Sequence, residues 1–258
     1  MIRTVLFASL LLVLAACGGN EGSLLEGPPY RPLTDSIRQK PGEPELFYRR
    51  GQLLFQNNET DLARADIAHA WKLLPREDFA LSLATILEKK SPDSALLFLE
   101  GAHARVPESV ALSIALARAY QDKGRSADAL ALCEAVSRRY PHALDALTLK
   151  AELQQGAGQE AEAIRTLEQA YAYAPFDADL VHSLAFSYAT AGNPKALALS
   201  DSLIRADSLG VHAEPYYFKA LYHEEKGSSA TALQLLDEAI AHDYNFLDAH
   251  MQKGELLY

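Results

Sequence analysis

A series of small residues at a fixed spacing constrains this chain more than any other feature of it. Gly51, Ala84, Ala117, Ala151, Ala185, Ala220 and Gly254 follow one another at separations of 33, 33, 34, 34, 35 and 34. A second series, Ala63, Ala95, Ala129, Ala163, Ala196 and Ala232, runs between them. Twelve residues after each member of the second series stand Pro75, Pro107, Pro141 and Pro175, then Ser208 and Tyr244. Small residues recur where two helices must approach closely, and larger apolar residues at i+3, i+4 and i+7 fill the remaining space. Gly124, Gly158, Gly192 and Gly227 each fall where a first helix ends in a left-handed residue. The closing proline cannot continue the helix before it. No such unit buries its apolar face alone, so neighbours must stack.

Composition agrees. The 258 residues include 43 alanines, against 14 Gly and 12 Pro, a mixture that favours helix because alanine loses no side-chain entropy on entering one. Apolar residues make up 49% and charged residues 22%, the balance of a globular chain. With 24 Lys plus Arg against 34 Asp plus Glu, the formal charge of −10 excludes the basic footprint that a nucleic-acid partner requires. Two cysteines, Cys17 and Cys133, are too few for a disulfide framework or a four-cysteine zinc site.

From residue 44 onward the pattern resembles the tetratricopeptide repeat, W-x2-L-G-x2-Y, then A-x3-F, then P, on a period of 34. The first unit reads Phe47, Arg50-Gly51 and Leu54, then Ala63, Ile67, Ala70 and Pro75. The third reads Leu116-Ala117, Tyr120 and Gly124, then Ala129, Cys133, Val136 and Pro141. The fifth keeps Leu184-Ala185, Tyr188 and Gly192, and the sixth Tyr216, Ala220, Gly227, Ala232, Leu236 and Ala239. The resemblance implies an all-α fold over residues 44–258: a right-handed superhelical solenoid of about six helix–turn–helix units plus a terminal helix. Units two and five each lack one residue in the inter-helix turn and carry an early proline, Pro92 or Pro194. Two extra residues, Val211 and His212, precede unit six, where a kink or loosening is expected. The terminal helix carries Leu256, Leu257 and Tyr258, so it either docks on unit six or leaves an apolar patch, and a homodimer through it is one expectation.

At the other end, Arg3 precedes an apolar run from Val5 to Leu14. Ten residues span about 15 Å as a helix, half a bilayer core, so residues 1–16 read as a signal peptide rather than a membrane span. Leu14-Ala15-Ala16-Cys17 resembles the lipobox of bacterial lipoproteins, which implies lipidation of Cys17 and cleavage before it. Gly18 stands where that family's inner-membrane retention signal has Asp, which implies the outer membrane, on either its periplasmic or its surface-exposed face. Residues 17–43, rich in Gly and Pro, read as the lipidated cysteine and a flexible tether, with room for a turn of helix around Asp35 to Gln39.

The residues carry no catalytic constellation. None of the eight histidines has H-E-x-x-H spacing or an i, i+4 histidine partner, and G-x-S-x-G, Walker and G-x-G-x-x-G patterns are absent. No metal site and no cofactor are expected. Cys133 replaces the bulky apolar residue found at Ile67, Leu99, Leu167 and Leu236, which reads as a core position.

In the family resembled, first helices line a concave face that holds extended peptides or helices. The lining positions lie three residues before, and one and four after, each small residue. The candidates there are Tyr48, Phe55, Arg118, His182, Phe186, Tyr217, Leu221 and Met251, aromatic and apolar at both ends with a polar middle. Exposed aromatics within a polar rim have the composition of binding hot spots. A basic pocket for a peptide C-terminus would need several Lys or Arg, and only Arg118 is present. The preferred reading is a non-catalytic scaffold for proteins or peptides, held to the membrane only by its lipid and assisting assembly of an envelope complex. The competing reading is a lipoprotein that takes up glycan or peptidoglycan fragments, with Tyr48, Phe186 and Tyr217 stacked on sugar rings.

Overall fold

A computed structural model describes residues 24–258, so Cys17, the apolar leader and residues 18–23 lie outside the described residues. Among the described residues there are fourteen helices and no strand. The chain forms two compact units, Met1–Val106 and Pro107–Tyr258.

The first unit holds α1 (Arg31–Gln39), α2 (Pro44–Gln56), α3 (Thr60–Leu73), α4 (Glu77–Lys90) and α5 (Pro92–Arg105), each packed on the next from α1 to α5. Its core is Leu54, Ile67, Phe79 and Ile86, all fully buried. Gly51 of α2 is where α3 comes closest: an added Cβ would lie 2.5 Å from Ile67 Cγ1 and 3.2 Å from the Ala63 carbonyl oxygen. The small-residue series therefore does what its spacing predicts, and this position accepts only glycine.

Helix α1 departs from the expected tether. Tyr30, Thr34 and Ile37 are spaced i, i+4, i+7 and buried against the first unit, so ordered structure reaches back across much of residues 17–43. A hydrogen bond from a buried ion pair between α2 and α3 reaches it there. Arg50 donates from Nε and Nη2 to both oxygens of Asp66, at 2.6 and 2.8 Å, and from Nη1 to Thr34 Oγ1 at 3.1 Å. Thr34 in turn donates to the Leu25 carbonyl at 2.8 Å.

The second unit comprises α6 (Val110–Asp122), α7 (Ser126–Arg139), α8 (Leu144–Gly156), α9 (Glu160–Tyr173), α10 (Ala178–Thr190), α11 (Lys195–Ala206), α12 (Glu214–Glu225), α13 (Ser229–His242) and α14 (Leu247–Leu257). These pair as α6–α7, α8–α9, α10–α11 and α12–α13, with α14 on α13. Ala117, Ala129, Ala151, Ala163, Ala185, Ala196, Ala220 and Ala232 are all buried at the helix crossings. Gly254, the last of the series, meets nothing within 4 Å.

The turns are local chemistry. Gly124, Gly158, Gly192 and Gly227 all have φ between +59° and +71°, and Asn58 occupies the equivalent place in the first unit at +64°. The shortened second repeat manages without one: Ser91 closes α4 and caps α5, its Oγ accepting from the Ser94 amide, with Pro92 at the first helical position. The insertion before α12 does not loosen the packing. Helices α10 and α12 pack directly, with the α12 ring of Phe218 against His182 and Phe186 of α10.

Candidate functional site

The eight candidate side chains fall into three groups. In the first unit, Tyr48 is only 9% exposed; its ring packs on Phe79 at 4.6 Å and its hydroxyl meets Ser82 Oγ at 3.0 Å. That burial removes it from any ligand surface, and with it one of the three rings assigned to sugar stacking. Phe55 is half-buried beneath Lys89, whose ammonium lies 4.5 Å from the ring centroid, and lines a pocket of about 200 Å³ with Gln52, Ser82 and Thr85. In the second unit Arg118 is exposed on α6.

Of the remaining candidates, His182, Phe186, Tyr217 and Leu221 gather around a residue that the periodic reading missed. Phe218 is buried, and its ring is contacted by His182 at 4.7 Å, Phe186 at 5.6 Å and Tyr217 at 6.3 Å. Repeats two to five carry Ser82, Ala115, Leu149 and Ser183 at this position, two before the small residue, and the first carries Arg49, so Phe218 is the one aromatic ring among them. That ring was the available signal. Tyr217 also packs edge-on against Phe246 at 5.2 Å. Leu221 is 8% exposed and belongs to the core, so it presents no surface to a ligand. Phe186 and Met251 do, at 37% and 56%. What the geometry offers is an aromatic platform on α10 and α12, built on Phe218, with Met251 of α14 exposed beyond it.

Two pockets lie in the same unit, and the first of them shares His182 with the platform. One, of about 420 Å³, lies at the insertion and is lined by Asp179, His182, Asp207, His212 and Glu214 over Leu203 and Pro215. Burial pushes the His182 imidazole below its ordinary value, with Glu214 opposing, so the neutral ring is the favoured form. Asp207 is engaged by the Leu209, Gly210 and His212 amides, which hold its carboxyl below the usual range. The other, about 370 Å³ and largely apolar, is closed at one end by Glu168, Tyr188 and Lys195. Glu168 Oε1 accepts from the Tyr188 hydroxyl at 2.6 Å and from Lys195 Nζ at 2.8 Å. The bond to Lys195 lowers the Glu168 carboxyl and raises the Lys195 ammonium, while burial raises the Tyr188 phenol. All three groups thus hold their ordinary charge states, which suits a tie between helices and not an activated base.

Cys133 is buried and burial pushes its thiol up to about 11, so at neutral pH it is protonated and packs as an apolar side chain. Among the described residues no cluster of three His, Cys, Asp or Glu is arranged to hold a metal ion. None of the described helices is long and apolar enough to cross a membrane.

Comparison with known proteins agrees with the fold. The tetratricopeptide-repeat profile matches residues 87–153. No curated protein sequence matches the chain significantly. Among solved structures, the C-terminal part of a TPR repeat-containing protein from Cytophaga hutchinsonii superposes with a TM-score of 0.65 at 16% identity, covering 84% of this chain and 90% of its own. Pseudomonas aeruginosa pilF gives 0.62 at 13% identity, covering 83% and 97%. The MamA protein gives 0.55 at 19%, covering 66% and 93%. The described chain is thus an all-helical array of helix–turn–helix units with the fold of tetratricopeptide-repeat proteins.

Proposed function

We propose that this chain is a non-catalytic adaptor: a repeat scaffold, tethered by a lipid on Cys17 to the bacterial outer membrane, that receives segments of other proteins and assists assembly of an envelope complex. The observation that carries the reading is the aromatic platform on first helices of the second unit. Phe186 stays exposed on top of Phe218, with Leu221 in the same core, and Met251 is exposed on α14. A rigid apolar surface that need not reorganise on binding loses little entropy when a partner docks. The leader, with its short apolar run ending in Leu14-Ala15-Ala16-Cys17, supports the tether.

The test is a crosslinking pull-down of the full lipoprotein from intact envelopes, beside a Phe186→Ala, Met251→Ala variant of unchanged helicity. Both side chains are exposed, so the variant keeps its core. Specific proteins recovered with the native chain and lost with the variant support the adaptor reading. Partners indifferent to the variant, or none, remove the platform from it.

A further inference from the structure

The platform has an electrostatic sign, and the sign narrows what it receives. Tyr217 and Glu224 lie seven residues apart on α12, two turns along one side. On α14, Asp248, Met251, Glu255 and Tyr258 follow spacings of 3, 4 and 3, so they share a side as well. The two sides are fixed next to each other. Tyr217 meets Phe246 immediately ahead of α14, and the Gln252 side-chain amide donates to both oxygens of Glu224, at 2.9 and 2.8 Å. The carboxylates of Glu224, Asp248 and Glu255 therefore lie on the same sides of α12 and α14 as the Tyr217 phenol. Its pKa is raised by burial first, then by Asp248, Glu224 and Glu255. The Glu224 carboxyl is raised too, by burial foremost, with Gln252 opposing and Glu225 and Glu255 adding to the rise.

Among the described residues no salt bridge neutralises this rim. The nearby lysines are committed elsewhere, Lys219 to Asp201 at 2.9 Å and Lys253 to Asp237 at 2.5 Å. Among the described residues no ion pair involves Glu224, Asp248 or Glu255. An acidic segment or a free C-terminal carboxylate would meet like charge here. A second copy of this chain, face to face, would bring the same three carboxylates against themselves.

We propose that this face receives an extended peptide segment in which lysine or arginine alternates with aromatic or aliphatic anchors. The inference rests on the adaptor reading and specifies its partner. The anchors cover Phe186 and Met251, while the cations meet the carboxylates and the electron-rich faces of the exposed rings.

The test measures binding to the full-length chain in zwitterionic micelles by fluorescence anisotropy. Three labelled peptides share the same Phe and Leu anchors and carry Lys, Ser or Glu at the intervening positions. The Lys peptide should bind about tenfold tighter than the Ser peptide at low salt, and the Glu peptide weakest. The advantage should collapse near 1 M salt, where the Debye length is about 3 Å. Glu224→Gln with Glu255→Gln should erase the Lys advantage while leaving the Ser peptide unchanged. Equal affinity for Lys and Ser peptides, or a Lys advantage that survives the double variant, overturns the charge preference. In that case loss of Ser-peptide binding on Phe186→Ala, Met251→Ala still upholds the platform. Failure of all three peptides to bind overturns the proposal and leaves the adaptor reading to the pull-down.

Discussion

Arg50 and Asp66 occupy positions that three of the five sister repeats fill with apolar pairs, Leu83 with Phe98, Leu116 with Leu132 and Leu184 with Leu199, while the fourth has Lys150 with Thr166 and the sixth Lys219 with Leu235. Breaking the pair on one side leaves a buried charge without its counter-ion. Arg50→Met should therefore cost about 3–5 kcal/mol in denaturant unfolding. Replacing both, Arg50→Leu with Asp66→Leu, restores the sister pattern and should recover most of that loss. If the single variant costs no more than the double, the bridge is not what holds Asp66. Gly51 is the complementary case, since a single methyl there collides with Ile67 and Ala63. Gly51→Ala should destabilise by about 1–3 kcal/mol despite alanine's better helix propensity, and a melting temperature that rises would refute the close approach. Ser200 goes the other way. Its hydroxyl is fully buried without a partner, at the position where other repeats have Ile67, Leu99, Cys133, Leu167 and Leu236. Ser200→Ala should be neutral or stabilising by up to about 1 kcal/mol in the same assay.

At the scale of elements, helix ends and crossings were legible because each depends on one residue type at one spacing. A glycine at a left-handed turn or an alanine at a crossing needs no knowledge of the rest of the chain, and Gly124, Gly158, Gly192 and Gly227 took the predicted conformation. Helix α1 was not legible in this way: its flanking prolines and glycines have linker composition, and the Tyr30, Thr34, Ile37 face makes sense only once Arg50 and α2 are there to cover it. The platform was half legible. Spacing placed Phe186 and Tyr217 on first helices, yet the same spacing could not separate exposed Met251 from buried Leu221, because depth depends on what the neighbouring helix brings. The contact between α10 and α12 also carries a pH dependence. The folded state holds the His182 imidazole below its ordinary 6.5, so the unfolded chain binds its proton first as pH falls. The contribution of His182 is complete above about 6.5 and erodes as pH falls below it. Unfolding curves at pH 7.5 and 5.5 (~two units apart, bracketing the free imidazole) should differ more for the native chain than for His182→Gln.

For the whole molecule, a charge of −10 bears on what the protein associates with rather than on its fold. The proposed lipid on Cys17 is then the dominant membrane attachment, since an acidic chain gains nothing from anionic headgroups. Several acyl chains anchor stably where one gives only marginal binding. Cys17→Ser should therefore shift the protein from the membrane to the soluble fraction on cell fractionation, and retention of the variant in membranes would argue for a second attachment.

The way α1 is attached to the first repeat sets the order in which the molecule yields to force. Any pull transmitted along the chain from ahead of Leu24 reaches α1 before it reaches the repeats. There it must break the Arg50–Thr34 hydrogen bond and draw Tyr30, Thr34 and Ile37 out of the core, while the bidentate pair, which joins α2 to α3, stays behind in the first repeat. A scaffold hauled from its N-terminal side therefore surrenders α1 first, and the buried Arg50–Asp66 pair then holds α2 to α3 against unravelling of the first repeat.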